Sequence, residues 1–401
     1  MTDRHLRGVM MIALLHRARK SVAAFGLAAA AGILAACQPV SMGGTGPAIN
    51  PNAPVPVALL VPGASGQASD QLLARSLENA ARLAIADLGG VQIDLRVYQT
   101  NGQAGAAGPI AQRAVAEGAR VILGPLFAQE ANAAGVAVSA TGVNVMSFSN
   151  NTDIAGGNVF VLGPTFENTA NRLVRYAASQ GQRRVMIIHD KTPGGEAGRN
   201  AIARAAAGTG STIVAQAGYE FSQNGVTQAA PSIAATARSA GADALFFTAD
   251  TAGSLPMMTQ MLRDQGLTPA QARYLGLTRW DIPSATLSHP GLQGGWFALP
   301  DPALYNAFQG RYQAAYGAAP HPVASLAYDG IAAVGALIKS GRADALSRNS
   351  LTQSSGFAGV GGVFRLRPDG TNERALAVAE IRNRQVVVID PAPRNFSGSL
   401  F

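Results

Sequence analysis

Val121-Ile122-Leu123-Gly124-Pro125-Leu126, followed by a helical stretch and then Val143-Asn144-Val145-Met146, decides the fold of this chain. The first apolar run stops at Gly-Pro, as a short buried strand does. Asn132 to Ala140 between the two runs has helical spacing. A strand, a helix and a second strand in so few residues make a parallel pair joined by a crossover, and such crossovers are right-handed.

Outward from that unit the rhythm repeats. Toward the N-terminus, Val55-Pro56-Val57-Ala58-Leu59-Leu60-Val61 and Ile93 to Tyr98 read as strands. The helices there are Leu72 to Leu88, with Leu73, Leu77, Ala80, Ala81, Ala84 and Ile85 on one face, and Ile110 to Gly118. Toward the C-terminus, helices are expected at Thr165–Ser179, Glu196–Ala207, Gln228–Ser239, Met257–Asp264, Leu304–Tyr316 and Val323–Lys339. Strands are expected at Val185–Ile188, Thr212–Ala217, Ala242–Phe247 and Tyr274–Leu277. The end changes character: Val363–Arg367, Ala375–Ile381 and Gln385–Ile389 read as strands, with turns at Asp369-Gly370 and Asn383. Two series of this kind predict an α/β protein with two doubly wound parallel-sheet lobes. Ligands of such sheets sit beyond the carboxyl ends of the strands. Those ends are Gly124-Pro125-Leu126, Ser147 to Asn151, His189 to Thr192 and Thr248 to Thr251. Their Ser, Asn and Asp residues also suit helix caps, which explains any one loop equally well.

The N-terminus carries a different message. Arg17, Arg19 and Lys20 precede an uncharged run from Val22 to Ala36, and Leu34-Ala35-Ala36-Cys37 closes it as a lipobox. The run is too short to span a bilayer comfortably and reads as a signal peptide over residues 1–36. Cys37, the sole cysteine, is the expected lipidation site, and Gln38 after it favours the outer membrane over the inner. Residues 37–54, rich in Gly, Pro and Asn, read as a lipid-anchored flexible tether. Loss of the leader removes five Lys/Arg and one acid, so the net charge falls from +8 to +4. With only three lysines, and no basic stretch interleaved with aromatics, nucleic acid is not an expected partner.

Enzyme motifs are missing. Gly359-Val360-Gly361-Gly362 precedes a strand instead of opening a helix, so it does not cradle phosphate. His189, His289 and His321 stand far apart without companions at ligand spacing, and no metal or cofactor is expected. No Gly-x-Ser-x-Gly elbow occurs. Neighbours His189 and Asp190 point apart on a strand end and do not pair with each other. The expectation is a binding protein, not an enzyme.

The apolar and loop motifs, taken in order, carry a resemblance. They are Val57 to Pro62, Val121 to Leu126, Val145 to Asn150, Ile187 to Lys191, Gly241 to Ala244, Ala327-Tyr328-Asp329-Gly330 and Phe357 to Phe364. Together they resemble type I periplasmic binding proteins of the leucine/isoleucine/valine-binding kind over nearly the whole mature chain. Within that superfamily the anchor, the Gly124-Pro125-Leu126 loop, the Ser147 to Asn151 loop and the strand Glu373 to Val378 look most like penicillin-binding protein activator lipoproteins. The helical-repeat domain that such activators can carry has only the short tether in its place.

The resemblance implies one domain over residues 55–392, with a tail at 393–401. Its lobes would be discontinuous: 55–162 with 299–366, and 163–298 with 367–392. It also implies a ligand cleft at Leu126, Phe127, Ala128, Ser147, Ser149, Asn150, Asn151, Asp190, Gly194, Asp250, Thr278 and Asp281. In amino-acid binders a serine, a tyrosine and an acidic residue hold the carboxylate, the side chain and the ammonium. Here those places fall on Ala128, Gly194 and Thr278, with Asp281 near the last, so an α-amino-acid pocket is not expected. The expected role is regulation of a bifunctional peptidoglycan synthase from a lipid anchor facing the periplasm. The alternative is a substrate-binding lipoprotein that passes a small-molecule ligand to an ABC permease of the branched-chain amino acid type.

Overall fold

A computed structural model describes residues 46–396. Residues 1–45, where the expected signal peptide, lipobox with Cys37 and first part of the tether fall, and residues 397–401 lie outside the described residues.

The first sheet is built from β1 (Val55–Val61), β2 (Ile93–Gln99), β3 (Val121–Leu123), β4 (Asn144–Ser147) and β5 (Val159–Val161) in the order β2-β1-β3-β4-β5, all parallel. Three helices alternate with these strands: α1 (Ala68–Asp87), α2 (Ala104–Ala116) and α3 (Ala128–Val138). One face of the sheet buries Leu59, Val121, Leu123 and Met146 against Leu77, Ala80 and Ala81 of α1. Its other face buries Ala58, Leu60, Ile122 and Val145 against Ala111 of α2 and Ala134 of α3. Strands buried on both faces have no polar alternation, which is why β1 and β3 are apolar throughout.

Helix α2 begins well before the expected Ile110. Its first turn, Ala104-Gly105-Ala106-Ala107-Gly108, has no large apolar side chain to mark a period, but small residues let it approach α3 closely. A methyl group placed on Gly108 would lie 3.5 Å from the Ala133 carbonyl.

The chain then enters α4 (Phe166–Ser179), capped by Thr165 and Asn168 in a reciprocal box. The second sheet follows with β6 (Arg184–Asp190), α5 (Pro193–Ala207), β7 (Thr212–Tyr219), α6 (Gln223–Ser239), β8 (Ala244–Phe247), α7 (Leu255–Asp264), β9 (Arg273–Gly276) and β10 (Trp296–Leu299). After β10 the chain forms α8 (Pro302–Tyr316) and α9 (Ser325–Lys339), and α9 packs with the first sheet's core through Leu326, Ile331 and Val334. A short helix, α10 (Arg348–Leu351), leads to a small antiparallel sheet of β11 (Phe357–Gly359), β12 (Gly362–Leu366) and β13 (Asn372–Arg374). Finally β14 (Ala377–Arg382) and β15 (Gln385–Asp390) join the second sheet, whose order is β15-β14-β10-β9-β8-β6-β7. Asn383 and Arg384 both take positive φ in the hairpin turn between them.

Three further features depart from the sequence reading. The return expected at Leu366-Arg367 occurs after Arg374, because β13 pairs with β12 before the chain crosses. Asn372 holds it there by donating to the carbonyls of Val161 and Gly163. The segment read as a flexible tether through residue 54 is anchored at its far end. Ile49 is buried in the first sheet's core, and its N–H donates to the Ala343 carbonyl. One isoleucine among Gly, Pro and Asn suffices, since burial of such a side chain is worth about 1.5–3 kcal/mol. Phe396 of the tail lies under the Arg365 guanidinium, 4.6 Å from ring centroid to the cation.

Candidate functional site

The three passages between the sheets converge on one place. Pro164-Thr165-Phe166, Ala298-Leu299-Pro300 and Arg374-Ala375-Leu376 all line an inner cavity of about 310 Å³. Leu277, Thr278 and Arg279 after β9 close a second side, and Tyr305 of α8 with Pro322, Val323, Leu326 and Asp329 closes a third. The volume is that of a small-molecule site, and the walls are mainly apolar.

Backbone chemistry explains why the passages hold together. The Leu162 carbonyl accepts from both Nε and Nη2 of Arg374, at 2.9 and 2.6 Å, tying the first passage to the third. Arg374 Nη1 donates to Asp329 Oδ2 at 2.9 Å, and Asp329 Oδ1 accepts the Val360 N–H at 2.8 Å. The pair is buried, with side chains 9% and 1% exposed. Burial pushes the Asp329 carboxyl up, while the Arg374 charge and the Val360 amide pull it back. Behind this pair, Arg172 of α4 donates from Nε to the Leu376 carbonyl at 2.6 Å and from Nη2 to Asp390 at 2.6 Å.

Other polar groups on the cavity wall are uncharged or already paired. Arg279 is held by both oxygens of Asp281. Burial raises the Tyr305 phenol above its ordinary value, so it presents a neutral hydroxyl. Thr165 is spent on its cap. Asn150 lies on the rim and, with Phe166, also borders an outer cavity of about 420 Å³ whose lining is polar: Asn151, Asp153, Glu167, Asn200 and Arg204 among others.

The twelve cleft residues expected from sequence divide among several places. Asn150 and Thr278 line the inner cavity, and Asn150, Asn151 and Gly194 line the outer one. Asp281 faces a side cavity of about 220 Å³ next to Leu299 and Tyr305. Ser147 and Ser149 are buried and fold their own loop: Ser147 Oγ donates to the Pro125 carbonyl and accepts the Ser149 N–H, and Ser149 Oγ accepts the Asn151 N–H. Asp190 is likewise buried and accepts from the Thr192 N–H and hydroxyl, ordering the start of α5. These residues order the loops that lead to the caps, which are Asn151 and Thr192. Leu126, Phe127, Ala128 and Asp250 line none of the cavities described above. Phe127 sits, 40% exposed, at the start of α3, and Asp250 is exposed.

Sequence reasoning missed Phe166, Arg279, Tyr305, Val323 and the Asp329–Arg374 pair as cavity residues. Only Asp329 and Arg374 left a signal, since both stand in the motifs that carry the family resemblance. Their meeting depends on two segments 45 residues apart. Among the described residues no group of three His, Cys, Asp or Glu is placed to hold a metal ion.

Two parallel-sheet lobes joined by three passages, with a cavity at the passages, define a class of two-lobed binding proteins. A sequence profile of the family described as periplasmic binding protein matches residues 54–385, and the chain belongs to that family. Solved structures agree in fold. One, described as a putative branched-chain amino acid ABC transporter from Rhodospirillum rubrum, is 19% identical and superposes with a TM-score of 0.71 over 84% of this chain and 100% of the other. An ABC transporter substrate-binding protein from Desulfitobacterium hafniense, in complex with Leu, is 19% identical, with a TM-score of 0.61 over 84% and 100% of the two chains. A solute-binding protein of an ABC transporter from Rhodopseudomonas palustris, in complex with 3,4-dihydroxybenzoic acid, is 20% identical, with a TM-score of 0.56 over 84% and 96%. No curated protein matches the chain.

Proposed function

We propose that this protein is the solute receptor of an ABC importer, held on the periplasmic side of a membrane by lipid on Cys37. The observation that carries the reading is the inner cavity, because all three inter-sheet passages line it. A solute seated there touches the segments about which the lobes would move, so occupancy is coupled to lobe closure by differential contact. The lobes of this proposal are 55–162 with 300–374, and 165–299 with 377–392. The transporter-type relatives support this reading better than the regulatory one. The test is small-angle scattering of the protein with and without a solute that raises its melting temperature; the radius of gyration should fall on binding. A thermal shift without compaction would count against the receptor reading.

A second reading, regulation of a bifunctional peptidoglycan synthase, keeps support from one observation. Ala128, Gly194 and Thr278 offer no carboxylate, aromatic or ammonium partner, and Ser147, Ser149 and Asp190 are spent on their own loops. Crosslinking in intact envelopes separates the two. Recovery of a permease supports the importer, and recovery of a synthase alone supports the regulator.

A further inference from the structure

We infer that the inner cavity takes an uncharged molecule with an apolar body, its hydrogen-bonding end directed to the Asn150 rim, and not a free amino acid. The inference rests on the solute-receptor reading and names the chemical class of its ligand. Three charged side chains reach the cavity, Arg279, Asp329 and Arg374. Each is already neutralised. Arg374 spends all three of its nitrogens on Asp329 and the Leu162 carbonyl. Asp329 accepts on one oxygen from Arg374 and on the other from the Val360 N–H. Arg279 forks one edge, Nε and Nη2, onto both oxygens of Asp281, which balances its charge.

The ammonium of an amino acid needs an acidic side chain without a cation of its own, and a carboxylate among mainly apolar walls needs a positive partner or several donors; a buried charge without such partners is strongly disfavoured. On these walls each acid already holds a cation, Asp329 on Arg374 and the neighbouring Asp281 on Arg279. The walls supply apolar surface from Phe166, Leu299, Val323 and Leu326, and neutral hydrogen-bonding groups from Thr278 and Tyr305. Asn150 stands where the apolar cavity meets the polar outer one, so the amide marks the end at which a polar head belongs.

The experiment holds the apolar body fixed and varies the head: L-leucine, 4-methylpentanoate, isopentylamine and 4-methylpentanamide, titrated calorimetrically into the whole mature protein. The neutral amide is expected to bind at least tenfold more tightly than the three charged compounds. Val323→Trp, which fills the cavity from its partly buried wall, should abolish that binding while the unliganded melting temperature holds. Asn150→Asp on the exposed rim should favour isopentylamine over the amide. Equal or tighter binding of leucine or 4-methylpentanoate overturns the inference and leaves the receptor reading standing. No binding of the amide at millimolar concentration, or amide binding that survives Val323→Trp, overturns it as well. The receptor reading falls separately, if protein taken from its own envelope carries no small molecule in native mass spectra and no permease is crosslinked.

Discussion

Glu130 shows how a single side chain can act against the fold that contains it. It sits in the first turn of α3, 1% exposed, and neither carboxylate oxygen has a hydrogen-bond partner. Burial, the largest influence on this carboxyl, raises its pKa. A group whose folded pKa is raised contributes stability below its unfolded pKa and loses it as pH rises through the folded one. Glu130→Gln is therefore expected to raise the melting temperature at neutral pH, by an amount corresponding to about 1–3 kcal/mol, and to bring no gain at acid pH where the carboxyl is protonated in both states. Thermal melts of both proteins across pH decide this; a gain of equal size at every pH would refute it. Asp329 presents the opposite case, a buried acid whose partner is present. Asp329→Asn strands Arg374 among apolar neighbours and should cost about 3–5 kcal/mol in urea unfolding. The double variant Asp329→Leu with Arg374→Met should recover much of that loss, since it removes both charges together.

At the scale of the element, the strand-end loops are the parts on which site and fold make competing demands. Gly124 ends β3 with φ of +81°, and a Cβ there would lie 2.3 Å from the Leu60 carbonyl on the neighbouring β1. Glycine alone meets both conditions, the positive φ and the close approach of backbone. Gly124→Ala should destabilise by more than the roughly 1 kcal/mol that backbone freedom accounts for, because β1 must also shift; calorimetric melts check it. Thr165 caps α4 where the chain first passes between sheets, and it lines the inner cavity as well. Thr165→Ala should cost about 1 kcal/mol of stability, measured by urea titration. At these positions the residue types that bind ligands in loops are the same types that cap helices. That ambiguity is why Ser147, Ser149 and Asp190 read as cleft residues in the sequence and turn out to organise their own backbone.

Across the whole molecule, the core of the described residues begins at Ile49, and Gly46 just before it packs closely, since a methyl group there would lie 2.9 Å from the Ser347 Cα. Cys37→Ser is expected to abolish palmitate labelling and release the protein from membranes, while the melting temperature of the released form matches that of the mature wild type. A lowered melting temperature would mean that the anchor segment contributes to the fold. The alternation of apolar runs and helical periods was enough to establish α/β lobes, because strands buried on both faces and helices with one apolar stripe write their environment locally. Strands β5 and β10 escaped that reading: each is three or four residues long and lies directly at a passage between sheets. What only the tertiary structure decided is the cavity. Its wall is assembled from residues that the sequence separates by up to 226 positions, from Asn150 to Leu376, and whether Arg279, Asp329 and Arg374 are free for a ligand depends on partners no local pattern displays. Charge is additive along a sequence, but its availability is set by which side chains meet, and folding alone arranges those meetings.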